Sequence, residues 1–155
     1  MSVLKLCLGV ALLILSTIIA RQYASKFKQK YEYYSSLVTM LNSINAELIY
    51  TKRLIQEAVN VEYTSKDFAK TVNSVYFEGE PTFPKYLTKQ EIEKLKLTFG
   101  SLGKGDANAQ KLVVSGYLQE FGDITRELNC KYKKNYQTII KVGFLIGMML
   151  LLMVI

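Results

Sequence analysis

The apolar positions of this chain gather at its two ends. Leu6 to Ala20 runs 15 residues without a charge, between Lys5 and Arg21, and Val142 to Ile155 runs 14 residues without a polar side chain. A helix needs about 20 apolar residues to cross a bilayer core, so each run is slightly short by itself. Lys5 and Lys141 lengthen the usable spans, because a lysine stem lies along hydrocarbon while its ammonium reaches the headgroups. The pattern predicts transmembrane helices over residues 1–20 and 142–155. The segment between them, residues 21–141, shows recurrent helical spacing and no sustained strand alternation.

Within that central region, Tyr34, Leu37, Val38, Leu41, Ile44 and Leu48 form one stripe at i, i+3, i+4, i+7 on a helix that continues out of the first span. Leu54, Ile55, Ala58 and Val59 predict a second, short helix. Ser65 is placed to cap a third, whose inner face is Phe68, Ala69, Val72 and Tyr76. Pro81 and Pro84 mark residues 77–86 as a loop. Thr88-Lys89-Gln90-Glu91 has the form of a capping box ahead of Ile92, Leu95 and Phe99. The glycine-rich Gly100–Gly105 stops that helix, and Asp106 is placed to cap the last one. There Val114, Tyr117, Phe121, Ile124 and Leu128 form a heptad seam, and with no breaker before the terminal span one helix of roughly 70 Å runs from Ala107 to the end. The expected fold is all-α: an antiparallel helical bundle in the cytoplasm, carried by two terminal transmembrane helices.

Charge sets the orientation. Arg21, Lys26, Lys28 and Lys30 follow the first span, and Lys131, Lys133, Lys134 and Lys141 precede the second. Basic residues flanking both spans on the inner side place the middle of the chain in the cytoplasm and both termini near the outer face. A cleaved signal peptide is disfavoured, since Ile18-Ile19-Ala20 lacks the small residue expected two positions before the cut. The two cysteines, Cys7 in the bilayer and Cys130 in a reducing compartment, are not expected to pair.

The residue types for catalysis are sparse. Histidine is absent, which removes the usual neutral-pH base and the commonest metal ligand. Glu78/Glu80 fall in a proline-rich loop, and Glu91/Glu93 point to different helix faces, so neither pair resembles an acid/base couple. The Gly100–Gly105 turn lacks the spacing and the Gly-Lys-Ser/Thr ending of a phosphate loop. No enzyme, no cofactor and no metal are expected. The net charge of +7 and the run Lys26, Lys28, Lys30, Tyr31, Tyr33, Tyr34 admit a second function, binding to anionic lipid or single-stranded nucleic acid. Proximity to a span favours lipid over nucleic acid. Gly143 and Gly147 make a GxxxG, with Gly9, Ser16 and Ala20 as counterparts. It serves either pairing between copies, giving a homo-oligomer, or packing of the two spans of one chain.

Over nearly its full length the chain resembles the stage III sporulation protein AB family of endospore-forming bacteria. Glu47-Leu48-Ile49-Tyr50 resembles that family's Glu-Ile-x-Tyr, and Ile55-Gln56-Glu57-Ala58 its Leu-x-Glu-Ala, although Leu54 stands where the family has Pro. Phe99-Gly100-Ser101-Leu102-Gly103-Lys104-Gly105-Asp106, with Gln110 beyond, is similar to its Phe-Gly…Leu-Gly-x-Ser-Asp…Gln turn, one residue shorter and with Gly105 in place of Ser. The resemblance implies a non-enzymatic platform in the channel complex between mother cell and forespore, similar to the platform protein of type II secretion and type IV pilus systems. It implies as partners a secretion-type ATPase, stage III sporulation protein AA, and other membrane components of that complex. Glu47, Tyr50, Glu57, Phe99, Gly100, Gly103, Asp106 and Gln110 then become candidates for docking the ATPase or shaping the bundle.

Overall fold

Two interiors of opposite character organise the chain, one built from small residues and one from aromatic rings. The computed structural model describes residues 3–50, 63–104 and 106–154, with side chains from residue 7 in the first stretch to residue 46, and to residue 153 in the last. Four α-helices appear: α1 (Val3–Tyr50), α2 (Lys66–Asn73), α3 (Lys89–Ser101) and α4 (Ala107–Val154). No strand occurs among the described residues. The expected second helix around Leu54–Val59, and Glu57 with it, lies outside the described residues.

Each predicted start signal is in use. Ser65 Oγ accepts the Phe68 N–H at 3.3 Å and opens α2. Thr88 and Glu91 form the reciprocal capping box of α3, with Glu91 N–H donating to Thr88 Oγ1 at 3.3 Å and Thr88 N–H donating to Glu91 Oε2 at 2.9 Å. Asp106 Oδ1 accepts the Ala109 N–H at 2.9 Å at the head of α4. Each bond satisfies a backbone donor that the first helical turn would otherwise leave unpaired.

The chain divides into two compact units, Met1–Gln29 with Leu128–Ile155, and Lys30–Glu127. Among the described residues of the first unit, those buried are all small: Gly9, Ala20 and Ala24 on α1, Gly143 and Gly147 on α4. The large apolar side chains of the same segments, such as Leu15, Ile19, Leu145, Met149 and Met153, point outward. Both long helices are apolar enough and long enough to cross a membrane, with windows of mean hydropathy 1.6 and 1.7 that are only 17% and 11% buried. Outward apolar surface on that scale is what a lipid solvent accepts and water does not.

The second unit is filled by rings drawn from every helix. Tyr34 meets Phe121 of α4 at 6.0 Å between centroids, and its neighbour Tyr33 meets Phe68 of α2 at 5.2 Å. Phe68 in turn lies 6.4 Å from Phe99 of α3. Leu37, Met40, Leu41, Ile44, Val72, Leu95 and Val114 complete the core. Such rings bury large apolar areas, and edge-to-face pairs add about 0.5–1.5 kcal/mol each beyond that.

The structure amends three expectations. Tyr33, read from sequence only as part of a basic and aromatic run, is 0% exposed, whereas Tyr34 is buried at 2% as its place on the apolar stripe predicts. Val38 is only half-buried, and Ser36 and Met40 are buried on α1 instead. The interval read as loop from Phe77 is helical to Glu78: a wide π-type turn over Ser74–Glu78 ends at Gly79, whose φ of 80° is accessible to glycine at little cost. There Ser74 Oγ, bonded to Thr71 O at 2.8 Å, also accepts the Thr82 N–H at 2.9 Å and tethers the proline segment.

Candidate functional site

The sequence candidates that the structure draws together are those of the turn between α3 and α4. Its organiser is Gln110, 4% exposed. Gln110 Oε1 accepts the Gly103 N–H at 3.0 Å, and its Nε2 donates to Ser101 O at 3.2 Å and to Lys104 O. One amide therefore satisfies one donor and two acceptors of a helix end, using both of its own N–H bonds. Gly103 has φ 84°, a left-handed conformation that lets the chain reverse after Leu102. Ser101 Oγ bonds Thr98 O at 2.8 Å and meets the Tyr117 hydroxyl of α4 at 3.2 Å. Of the other candidates here, Phe99 is buried in the aromatic core, Asp106 is spent on the helix cap, and Gly100 is exposed with open space around its Cα. Gly105 lies outside the described residues.

A groove of about 520 Å³ lies beside this turn. Val75, Tyr76, Pro81, Phe83, Phe99 and Leu102 give it apolar walls, and Lys96, Lys104 and Gly100 complete its lining. The turn thus contributes Leu102 and Lys104 to the wall of this recess. Glu47 and Tyr50 belong to α1 by their backbone, and their side chains lie outside the described residues.

Glu91 and Glu120 join helices elsewhere in the body. Burial alone would raise the Glu91 carboxyl, but hydrogen bonds from Lys30 and Thr88 outweigh it and hold the group below its usual value. Lys30 Nζ lies 2.7 Å from Glu91 Oε1, which joins α1 to the start of α3. Lys94 pairs with Glu120 and sits 5.8 Å from the Phe121 ring. Among the described residues no three His, Cys, Asp or Glu side chains gather closely enough to share a metal ion.

The aromatic core holds polar atoms that sequence reasoning did not anticipate. The hydroxyls of Tyr33, Tyr76 and Tyr86 are buried without a well-formed hydrogen bond. Thr71 lies near the first and Asp67 near the last. Burial pushes Tyr63 and Tyr76 up to about 12, and Tyr33, Tyr34 and Tyr86 higher still, because the phenolate would be charged in an apolar surround.

The second set of candidates, Gly143 and Gly147, forms the seam of the apolar hairpin. A Cβ on Gly143 would collide with Ala20 Cβ, and one on Gly147 would collide with Ser16 Oγ and stand 3.1 Å from Leu13 Cα. Ser16 Oγ shares its proton between Leu13 O at 2.9 Å and Gly143 O at 3.3 Å, so a polar bond crosses the seam. Gly9 packs against Leu151 at the far end. Of the two uses open to the GxxxG, this chain occupies it with its own first helix.

No family model, curated protein or solved structure matches this chain.

Proposed function

We propose that this protein is a non-enzymatic, two-pass membrane platform that docks a cytoplasmic secretion-type ATPase. Residues 21–141 face the cytoplasm, on the mother-cell side of a sporulation channel complex. The observation that carries the reading is the turn built around Gln110. A buried amide holds three backbone groups rigid beside an apolar, lysine-bearing groove. Rigid presentation of a recess suits a docking partner, because little ordering entropy remains to be lost on binding. The resemblance of Phe99–Asp106 and Gln110 to the sporulation family, read from the sequence, supports the choice of this turn.

On this reading the groove accepts an apolar side chain flanked by acidic groups on the ATPase, with Lys96 and Lys104 providing charge complementarity. Nucleotide hydrolysis belongs to the ATPase, and the platform transmits its motion to the spans. The test is binding between the detergent-solubilised full-length chain and stage III sporulation protein AA at low salt. A complex of micromolar affinity, weakened at least fivefold by K96E/K104E, is expected. No complex at high micromolar concentration refutes the reading. Protease digestion of the central region from outside intact cells refutes the orientation.

A further inference from the structure

The net positive charge of this protein comes from one of its two units. Residues 1–29 and 128–155 contain eight Lys and Arg and no Asp or Glu, whereas residues 30–127 contain twelve Lys and Arg against thirteen Asp and Glu. The whole excess that gives +7 therefore resides in the unit that carries the apolar helices, and the helical body is close to neutral.

The seam fixes where seven of those eight charges sit, Lys5 lying toward the opposite end of the hairpin. Gly143 opposes Ala20 and Gly147 opposes Ser16, so the two helices run antiparallel in a register that sets Lys141 beside Arg21 and Gln22. Continued along the helices, it sets Lys134 near the level of Gln29, with Lys133 one residue farther from the seam. Arg21, Lys26, Lys133, Lys134 and Lys141 are all exposed. At 1.5 Å per residue, Arg21 to Lys28 covers about 10 Å and Lys141 to Lys131 about 15 Å beyond the end of the apolar surface. A headgroup layer is roughly 5–8 Å deep, and the Debye length adds about 8 Å at physiological salt. The collar therefore matches the depth over which an anionic lipid surface is felt.

Aromatic side chains occupy the same level. Tyr23 and Phe27 pack edge to face at 6.0 Å, Tyr132 and Tyr136 at 5.3 Å, and Lys26 Nζ lies 5.8 Å from the Tyr23 ring. Amphipathic rings with cations beside them characterise the bilayer interface. The residues that had given the basic run its look of a strand-binding surface are used otherwise. Tyr33 and Tyr34 are in the core, and Lys30 is paired with Glu91.

We infer that this acid-free collar is a binding surface for anionic phospholipid headgroups, which retains such lipids around the hairpin in preference to zwitterionic ones. The inference shares with the proposed function only the membrane-spanning reading of residues 1–20 and 142–155. It does not involve the ATPase, so loss of ATPase docking leaves it standing.

The full-length chain, reconstituted in phosphatidylcholine vesicles, is probed with spin-labelled phosphatidylglycerol and spin-labelled phosphatidylcholine. Phosphatidylglycerol is expected to be retained several-fold more strongly at low salt, with the preference falling toward equality near 1 M salt, where the Debye length is about 3 Å. Neutralising four collar cations together removes most of this attraction, so R21Q/K26Q/K133Q/K134Q brings the retention of the two lipids close to equality. R21K/K26R/K133R/K134R retains it, as does K66Q/K70Q/K85Q/K111Q in the helical body. Equal retention of the two lipids by the parent chain, or a preference unmoved by the collar substitutions, overturns the inference. Displacement of phosphatidylglycerol by a single-stranded oligonucleotide overturns it in favour of nucleic acid.

Discussion

Replacing Gln110 tests whether the turn between α3 and α4 is held by its amide or merely filled by its bulk. The native side chain makes three hydrogen bonds, to Gly103 N–H, Ser101 O and Lys104 O. At about 1 kcal/mol net for each bond, their loss costs up to about 3 kcal/mol. Gly103 and Lys104 are exposed, so their freed groups recover water, and the expected net loss for Gln110→Met is nearer 2 kcal/mol. Methionine keeps the volume and removes every bond, which isolates the polar contribution. Gln110→Glu is more revealing. Its carboxylate still accepts from Gly103 but turns acceptor oxygen toward two carbonyls, so it is expected to be worse than methionine at neutral pH. Protonation below about pH 4 restores one donor and relieves part of the loss. For a body of this size, 2 kcal/mol corresponds to a fall of about 10 °C in Tm. Thermal unfolding of the full-length chain in nonionic micelles, followed by near-ultraviolet circular dichroism of the aromatic core, reads it. A Gln110→Met protein melting within about 2 °C of the parent, or a Gln110→Glu protein more stable than Gln110→Met at pH 7, would refute the account.

Other substitutions probe separate contacts. Gly103→Ala places a Cβ at φ 84° and is expected to cost about 1–2 kcal/mol in the same melt, whereas Gly100→Ala, with open space and ordinary helical geometry, is expected to be neutral or mildly stabilising. Gly147→Leu overfills the hairpin seam against Ser16 and Leu13 and should destabilise it by about 1–3 kcal/mol, measured as increased proteolysis of the spans in micelles. The Glu91 carboxyl has a folded-state pKa below its unfolded value, so its contribution is present above the unfolded value and is lost as pH falls through the folded one. Glu91→Gln should flatten that acid limb of the stability profile, and an unchanged limb would exclude Glu91 as its source. The buried tyrosines have the opposite sign: their folded values are raised, so their contribution is complete below about pH 10 and is lost as pH rises through 12 and beyond. Tyrosinate absorbance on the folded chain should therefore show a late component from Tyr33, Tyr34, Tyr63, Tyr76 and Tyr86, which disappears in denaturant.

What the linear sequence determined was whatever depends on neighbours along the chain. Ser65, Thr88, Glu91 and Asp106 act within a turn of their own positions, so their caps were readable directly. The long apolar ends and the uninterrupted final helix follow from composition and the lack of a breaker. The tertiary structure alone decided the rest, because burial depends on which faces meet. Tyr33, one residue off the expected stripe, is in the core because Phe68 and Tyr86 approach it from elsewhere in the chain. Lys30 stands in a run of cations by sequence, yet it binds Glu91 from α3. Gln110 gave no periodic or charge signal of its own, since its task is set by three backbone groups six to nine residues earlier that the turn brings round to it. Likewise Gly143 and Gly147 advertised a close approach without naming the partner. Only the packing of the hairpin supplied Ala20, Ser16 and Leu13, because a missing Cβ specifies proximity and not identity.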